Sequence, residues 1–233
     1  MSCSNPRQTR FVSSVAAFLL LMASGVAAAA QNPPVAAPAT DETTVGLLAS
    51  LLAAADARRF DPAALRDALA SNNPAVRRQA ALAAGRMGDA TAVDVLVPVL
   101  NDTVPRVAAA AAFGLGLLKD ARAIPALLQT IRAVAPADQG PPQLEAVTAI
   151  AKIGGDDGAR ALTQITTAAS PTAPTAVADA ALLEAWRLGA RAPVTELVRY
   201  TDATAVTTRW HALYSLARLR AAPGATEIGR AHV

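Results

Sequence analysis

From Pro74 to Asp120 one sixteen-residue phrase is written twice. Pro-Ala-Val-Arg-Arg-Gln-Ala-Ala-Leu-Ala-Ala-Gly-Arg-Met-Gly-Asp returns, 31 residues on, as Pro-Arg-Val-Ala-Ala-Ala-Ala-Ala-Phe-Gly-Leu-Gly-Leu-Leu-Lys-Asp. In each copy apolar residues recur at i, i+4, i+8 and i+11: Val76, Ala80, Ala84 and Met87, then Val107, Ala111, Leu115 and Leu118. That spacing is a stripe along one side of an α-helix. Self-similarity at this period predicts stacked helical units, each covering the apolar side of its neighbour.

Carrying the register forward finds three more copies. The stripe recurs as Pro142, Ala146, Ile150, Ile153, as Val177, Ala181, Ala185, Leu188, and as Thr208, Ala212, Leu216, Leu219. The steps between units are 31, 35, 35 and 31 residues, and all five copies hold alanine at the second stripe position: Ala80, Ala111, Ala146, Ala181 and Ala212. So small a side chain lets neighbouring backbones approach, and a larger one would push them apart. Both four-residue additions fall at proline-rich stretches, Ala133 to Gln143 and Ala168 to Ala176, where a longer turn leaves the stacking intact.

Each striped helix needs a partner, and the helix-start signals supply one. Asp61-Pro62 offers a capping carboxylate followed by a proline that forfeits no needed N–H. Helices Pro62 to Ala70 and Pro74 to Met87 then form a first hairpin, broken at Ser71-Asn72-Asn73. Asp89 and Asp120 open the next two units, with Val93, Leu96, Val97, Leu100 and Ile124, Leu127, Leu128, Ile131 facing inward. Pro98 lies inside its helix and predicts a kink. Before the first unit, Asp41, Thr43 or Thr44 can cap a helix over Val45 to Ala57, expected to cover the open side of the array.

The ends of the chain read differently. Arg7 and Arg10, the apolar run Phe11 to Met22 and the small residues to Ala30 predict a signal peptide over 1–30; the apolar core is too short for a spanning helix. Residues 31–44, with Pro33, Pro34 and Pro38, read as a flexible linker. Ile228-Gly229-Arg230-Ala231-His232-Val233 resembles the translation of a common sequencing adapter, so 227–233 is expected to be an artefactual tail on a truncated reading frame, the natural sequence being cut after about Thr226. Setting aside Arg7, Arg10 and Arg230 leaves 18 of the 21 basic residues against 18 acids. Near-neutrality argues against nucleic acid, and no membrane insertion is expected after cleavage. The one cysteine, Cys3, leaves with the signal, which predicts a disulfide-free periplasmic or secreted protein.

Pro-x-Val-Arg-x-x-Ala followed by Ala-Gly-x-Met-Gly-Asp and an apolar helix resembles HEAT repeats, in particular the short bacterial kind similar to those of phycobilisome lyases. Val76-Arg77 and Gly88-Asp89 carry the likeness best; the third to fifth units keep the alanine and lose most of the rest. The resemblance spans roughly Asp61 to Arg220 and implies an all-α right-handed solenoid of five hairpins, residues 45–226 in all. Such arrays generally offer curved surfaces to protein partners. A similar layout precedes a cyclophilin-type peptidyl-prolyl isomerase domain in some exported bacterial proteins. The alternative is therefore the scaffold part of a longer envelope enzyme.

Chemistry-bearing residues are sparse. His211 is the single histidine outside the suspect tail, no Gly-x-Ser-x-Gly elbow occurs, and the expected mature chain holds no cysteine, so no metal, no cofactor and no enzymatic activity are expected. Asp41-Glu42 and Asp156-Asp157 sit at helix starts, where carboxylates suit the helix dipole. The position two after each stripe start points about 200° away, at about 100° per residue. It holds Arg78, Ala109, Leu144, Asp179 and Trp210; seven further on stand Gly85, Gly116, Ala151, Trp186 and Ala217. Trp186, Arg187, Trp210, Arg78 and Arg218 are therefore the candidate contacts for a protein partner, tryptophan and arginine being frequent interface anchors. The competing reading is that each tryptophan fills space between units.

Overall fold

Proline at a first helical position sets the start of four helices here: Pro62, Pro74, Pro105 and Pro141. The computed structural model describes residues 42–220. Its helices are α1 (Glu42–Asp56), α2 (Pro62–Leu69), α3 (Pro74–Met87), α4 (Ala92–Leu96), α5 (Pro105–Leu118), α6 (Ile124–Arg132), α7 (Pro141–Ile153), α8 (Gly155–Thr167), α9 (Ala176–Glu184), α10 (Val194–Arg199) and α11 (Val206–Arg220). Asp61 caps α2 by accepting from the N–H groups of Ala63 (2.9 Å) and Ala64 (3.2 Å). Asn73 does the same for α3 through Ala75 N–H at 2.9 Å. The expected signal peptide, residues 31–41 of the linker and the tail lie outside the described residues.

Helices α2 to α11 pair into five hairpins. The second helices α3, α5, α7, α9 and α11 lie side by side in chain order, and the first helices α2, α4, α6, α8 and α10 form the other layer. The result is an all-α solenoid. Helix α1 begins at Glu42, three residues earlier than the sequence suggests, and takes in Thr43 and Thr44 as its first turn. It packs on α3, taking the place of a preceding second helix. Leu51 and Ala55 bury its inner side.

The stripe is the core. All five alanines, Ala80, Ala111, Ala146, Ala181 and Ala212, are 0% exposed. Small residues let successive second helices touch through their backbones. A Cβ added to Gly85 would lie 2.5 Å from the Gly114 Cα, and one on Gly116 would lie 2.8 Å from the Ala149 Cα. Four units carry a residue of positive φ at the same place in the repeat, twelve after the stripe start: Gly88 (φ 78°), Lys119 (φ 54°), Gly154 (φ 70°) and Gly189 (φ 56°).

Pro98 acts as expected. The α-helix stops at Leu96 and continues as a tighter 3₁₀ turn over Val97–Asn101. The same change follows α9, over Ala185–Arg191. In the proline-rich insertions, Pro136–Asp138 forms a single 3₁₀ turn, and Ser170 and Ala173 close a small bridge. Both lie between the two helices of a hairpin and leave the stack continuous.

Candidate binding face

Residues two, six and ten after each stripe start share one ridge of a second helix, spaced by four. In the solenoid all fifteen are exposed or half-buried. Position two holds Arg78, Ala109, Leu144, Asp179 and Trp210, as the sequence suggests. Position six holds Leu82, Phe113, Thr148, Leu183 and Tyr214. Position ten is basic in four units of five: Arg86, Lys152, Arg187 and Arg218, with Leu117 the exception. Arg86 and Lys152 were missed from the sequence, yet the repeat register that placed Arg187 and Arg218 also places them.

The sequence reading set Trp186 on an outward line with Gly85, Gly116, Ala151 and Ala217. The structure corrects that placement, because Gly85, Gly116 and Ala151 are buried between consecutive second helices. Trp186 is half-buried against the core. Gly85 and Gly116 admit the next backbone there, whereas Trp186 presents a ring. Arg218 of α11 lies over that ring at 3.9 Å, and Arg187, ion-paired to Glu184, lies 4.8 Å from its centre. Arg218 also reaches Tyr214, with 5.8 Å to its ring centre and 3.4 Å to its hydroxyl. Tyr214 in turn stacks on Trp210 at 5.2 Å. Four candidate residues thus form one chain of contacts, Arg187–Trp186–Arg218–Tyr214–Trp210, through a tyrosine that the sequence reading did not single out.

Arg78 belongs elsewhere. With Arg86 and Arg106 it borders a groove of about 800 Å³ across α3, α5 and the start of α7, floored by Leu82, Ala109, Ala110 and Phe113 and bounded by Pro141 and Glu145. The three guanidinium groups are exposed, and no carboxylate pairs with them among the described residues. At the groove's far edge Lys152 lies 3.4 Å from Glu145 and 4.4 Å from the Phe113 ring centre. Burial pushes the Glu145 carboxyl above the ordinary carboxylate range, and Lys152 offsets this only in part. A similarly large crevice lies on the first-helix layer between α6 and α8. Its charged residues Asp157 and Arg160 pair with each other, so it offers no unpaired charge.

His211 is a half-buried helix residue. Its Nδ1 faces Asp179 Oδ1 at 4.0 Å without a hydrogen bond, and its ring meets the edge of Trp210 at 5.5 Å. Asp156 pairs with Arg191 at the first turn of α8. Among the described residues no three His, Cys, Asp or Glu side chains gather as a metal set, and no helix is long and apolar enough to cross a membrane.

Residues 62–139 match the family described as HEAT repeats. No curated protein matches the chain. Among solved structures it is similar to the complex of CpcE and CpcF of phycocyanin lyase from Nostoc, with 23% identity over 77% of this chain and 72% of that one, at a TM-score of 0.49. It is also similar to human deoxyhypusine hydroxylase in complex with glycerol, with 15% identity over 76% of this chain and 95% of that one, at a TM-score of 0.30. These likenesses concern the fold. The expectation of a chain without activity of its own is corrected by their names, one a lyase and the other a hydroxylase. Lacking a Ser elbow and a His/Cys set does not place the protein outside the enzymes.

Proposed function

We propose that this chain, whose residues 62–139 match HEAT repeats, works outside the cytoplasm as a scaffold whose second-helix face holds a protein partner through an acidic, extended segment. One observation carries the reading: Arg78, Arg86 and Arg106 surround an apolar floor of Leu82, Ala109 and Phe113, and no carboxylate among the described residues pairs with them. Exposed arginine forks beside an aromatic ring suit carboxylates bidentately and give an apolar side chain somewhere to rest. Glu145 at the groove's edge, paired with Lys152, and Asp179 and Glu184 farther along the same face interrupt the basic row. A continuous polyanion such as nucleic acid would run into them, whereas a short acidic peptide would end before them. Export rests on the arginines, apolar run and small residues of 1–30.

The experiment is a titration of a fluorescent peptide of alternating glutamate and leucine, followed by anisotropy. Binding is expected to weaken as salt rises and to fall at least tenfold in the Arg78→Ala/Arg86→Ala/Arg106→Ala variant, with Arg132→Ala unaffected. Equal affinity for a lysine–leucine peptide, no effect of the triple substitution, or tighter binding of a single-stranded oligonucleotide would overturn the reading.

A further inference from the structure

The first and last described helices, α1 and α11, differ from those between them in matching ways. The fifth residue after the stripe start is covered by the next unit four times over: Ala81, Ala112, Val147 and Leu182 are each 0% exposed. The fifth copy, Leu213 on α11, is 52% exposed, with Val206 at 70% and Trp210 at 55% beside it. At the other end α1 is apolar on both sides. Thr44, Leu48, Leu51 and Ala55 turn toward α3. Val45, Ala49 and Leu52, spaced i, i+4, i+7, turn away, with Val45 53% and Leu52 43% exposed, and the charged Asp56 follows them in the last turn. A helix apolar all round belongs in an interior.

We infer that a second copy of this chain docks head to tail, its α1 lying on α11 as α3 lies on α1. Two further observations name that occupant. The first is charge: within the array, consecutive second helices run parallel, and in that arrangement Glu42 at the start of α1 meets the first turns of α11, which carry Arg209, while Asp56 at its end meets Arg220. All four side chains carry charges of the required sign, and none has a charged partner within the described residues. The second is an unfinished bond pattern. Arg77 gives Nη1 to the carbonyls of Ser71 (2.8 Å) and Asn72 (3.3 Å) and gives Nε and Nη2 to Asp102 of the following unit. Arg209, at the same repeat position, gives Nη1 to the carbonyls of Ala203 (2.7 Å) and Thr204 (3.0 Å), and no carboxylate among the described residues takes its other nitrogens. The within-unit half of the pattern is complete at Arg209, and the half that a following unit supplies is open.

Contacts of this kind join unlike surfaces, so association is open-ended rather than closed at a dimer. Sedimentation velocity of the full chain over a range of concentrations tests it. The unaltered protein is expected to show a weight-average mass that climbs past two protomers. Leu213→Glu blocks one end and Val45→Glu/Leu52→Glu the other; each variant alone is expected to stay monomeric with an unchanged circular-dichroism melt. Mixed in equal amounts they are expected to form a one-to-one dimer and nothing larger, since one open end of each kind remains. A monomer at every concentration would overturn the inference, placing some other segment on these faces. So would self-association of either blocked variant, which would mark a two-fold contact instead.

Discussion

Arg77 and Asp102, twenty-five residues apart, join the first unit to the second through two parallel bonds, Nε to Oδ2 at 2.7 Å and Nη2 to Oδ1 at 3.0 Å. Both side chains are largely shielded, at 15% and 10% exposure. Asp102 also accepts from the Val104 N–H at 2.8 Å, which shapes the turn ahead of α5. A shielded bidentate pair is costly to break from one side, because the remaining charge stays without a partner. Arg77→Ala and Asp102→Asn are each expected to lose about 2–3 kcal/mol in urea unfolding. The double variant should lose less than their sum.

The same pair sets an acid dependence. The Arg77 hydrogen bonds hold the Asp102 carboxyl below its ordinary value, outweighing the effect of burial. A carboxylate depressed on folding contributes stability above its unfolded pKa of about 3.9 and loses it as pH falls through the folded value. Asp89 and Asp120, depressed by bonds to Thr91 and Arg122, add in the same direction. Stability should therefore fall below about pH 4, and the fall should be shallower in Asp102→Asn, measured as urea midpoint against pH.

Lys119 stands where three other units have glycine, at φ 54°. A side chain in the left-handed region is strained, while glycine there is not. Lys119→Gly is expected to raise stability by about 0.5–1 kcal/mol, seen as a higher melting temperature.

Gly114 should tolerate no enlargement. A Cβ there would sit 2.8 Å from the Ala81 carbonyl oxygen and 3.0 Å from Leu96 Cδ1. Gly114→Ala is expected to cost about 1–3 kcal/mol by overpacking, even though alanine favours helices. A gain in the melting temperature would contradict the backbone contact.

The tryptophans should separate. Trp186 is packed under two guanidinium groups, so Trp186→Ala is expected to cost about 2–3 kcal/mol, below the range for a fully buried ring. Trp210, more than half exposed, should cost less than about 1 kcal/mol when cut to alanine. Equal losses in chemical denaturation would contradict the different surroundings of the two rings.

Glu145 gives the opposite pH sign to Asp102. Its carboxyl is raised by burial, so its charge opposes folding above that raised value and the opposition fades as pH falls. Glu145→Gln should leave stability at pH 7 unchanged or slightly higher, with the Lys152 contact to Phe113 kept. A loss above about 1 kcal/mol would show that the ion pair outweighs desolvation.

The helices, their pairing and the alanine ridge were readable because each is a local or strictly periodic property. Asp61, Pro62 and Gly88 punctuate the backbone wherever they stand, and Val76, Ala80, Ala84 and Met87 lie on one side of any helix built from them. The basic row was equally readable: the register that places Arg187 and Arg218 also places Arg86 and Lys152. Tyr214 was not, since nothing in its neighbourhood says that a ring at position six bridges Arg218 and Trp210.

What the sequence alone determined is the unit: a helix pair with one apolar side, repeated five times, that is unstable until stacked. What the tertiary structure decided is everything passing between units, because the rotation from one hairpin to the next selects which positions meet. That rotation buries Gly85 against Gly114 and Trp186 beneath Arg218, brings Asp102 to Arg77 across twenty-five residues, and leaves Leu213 about half exposed on the last described helix. Periodicity names the face of a helix, but only packing tells whether that face meets water, a ring or another backbone.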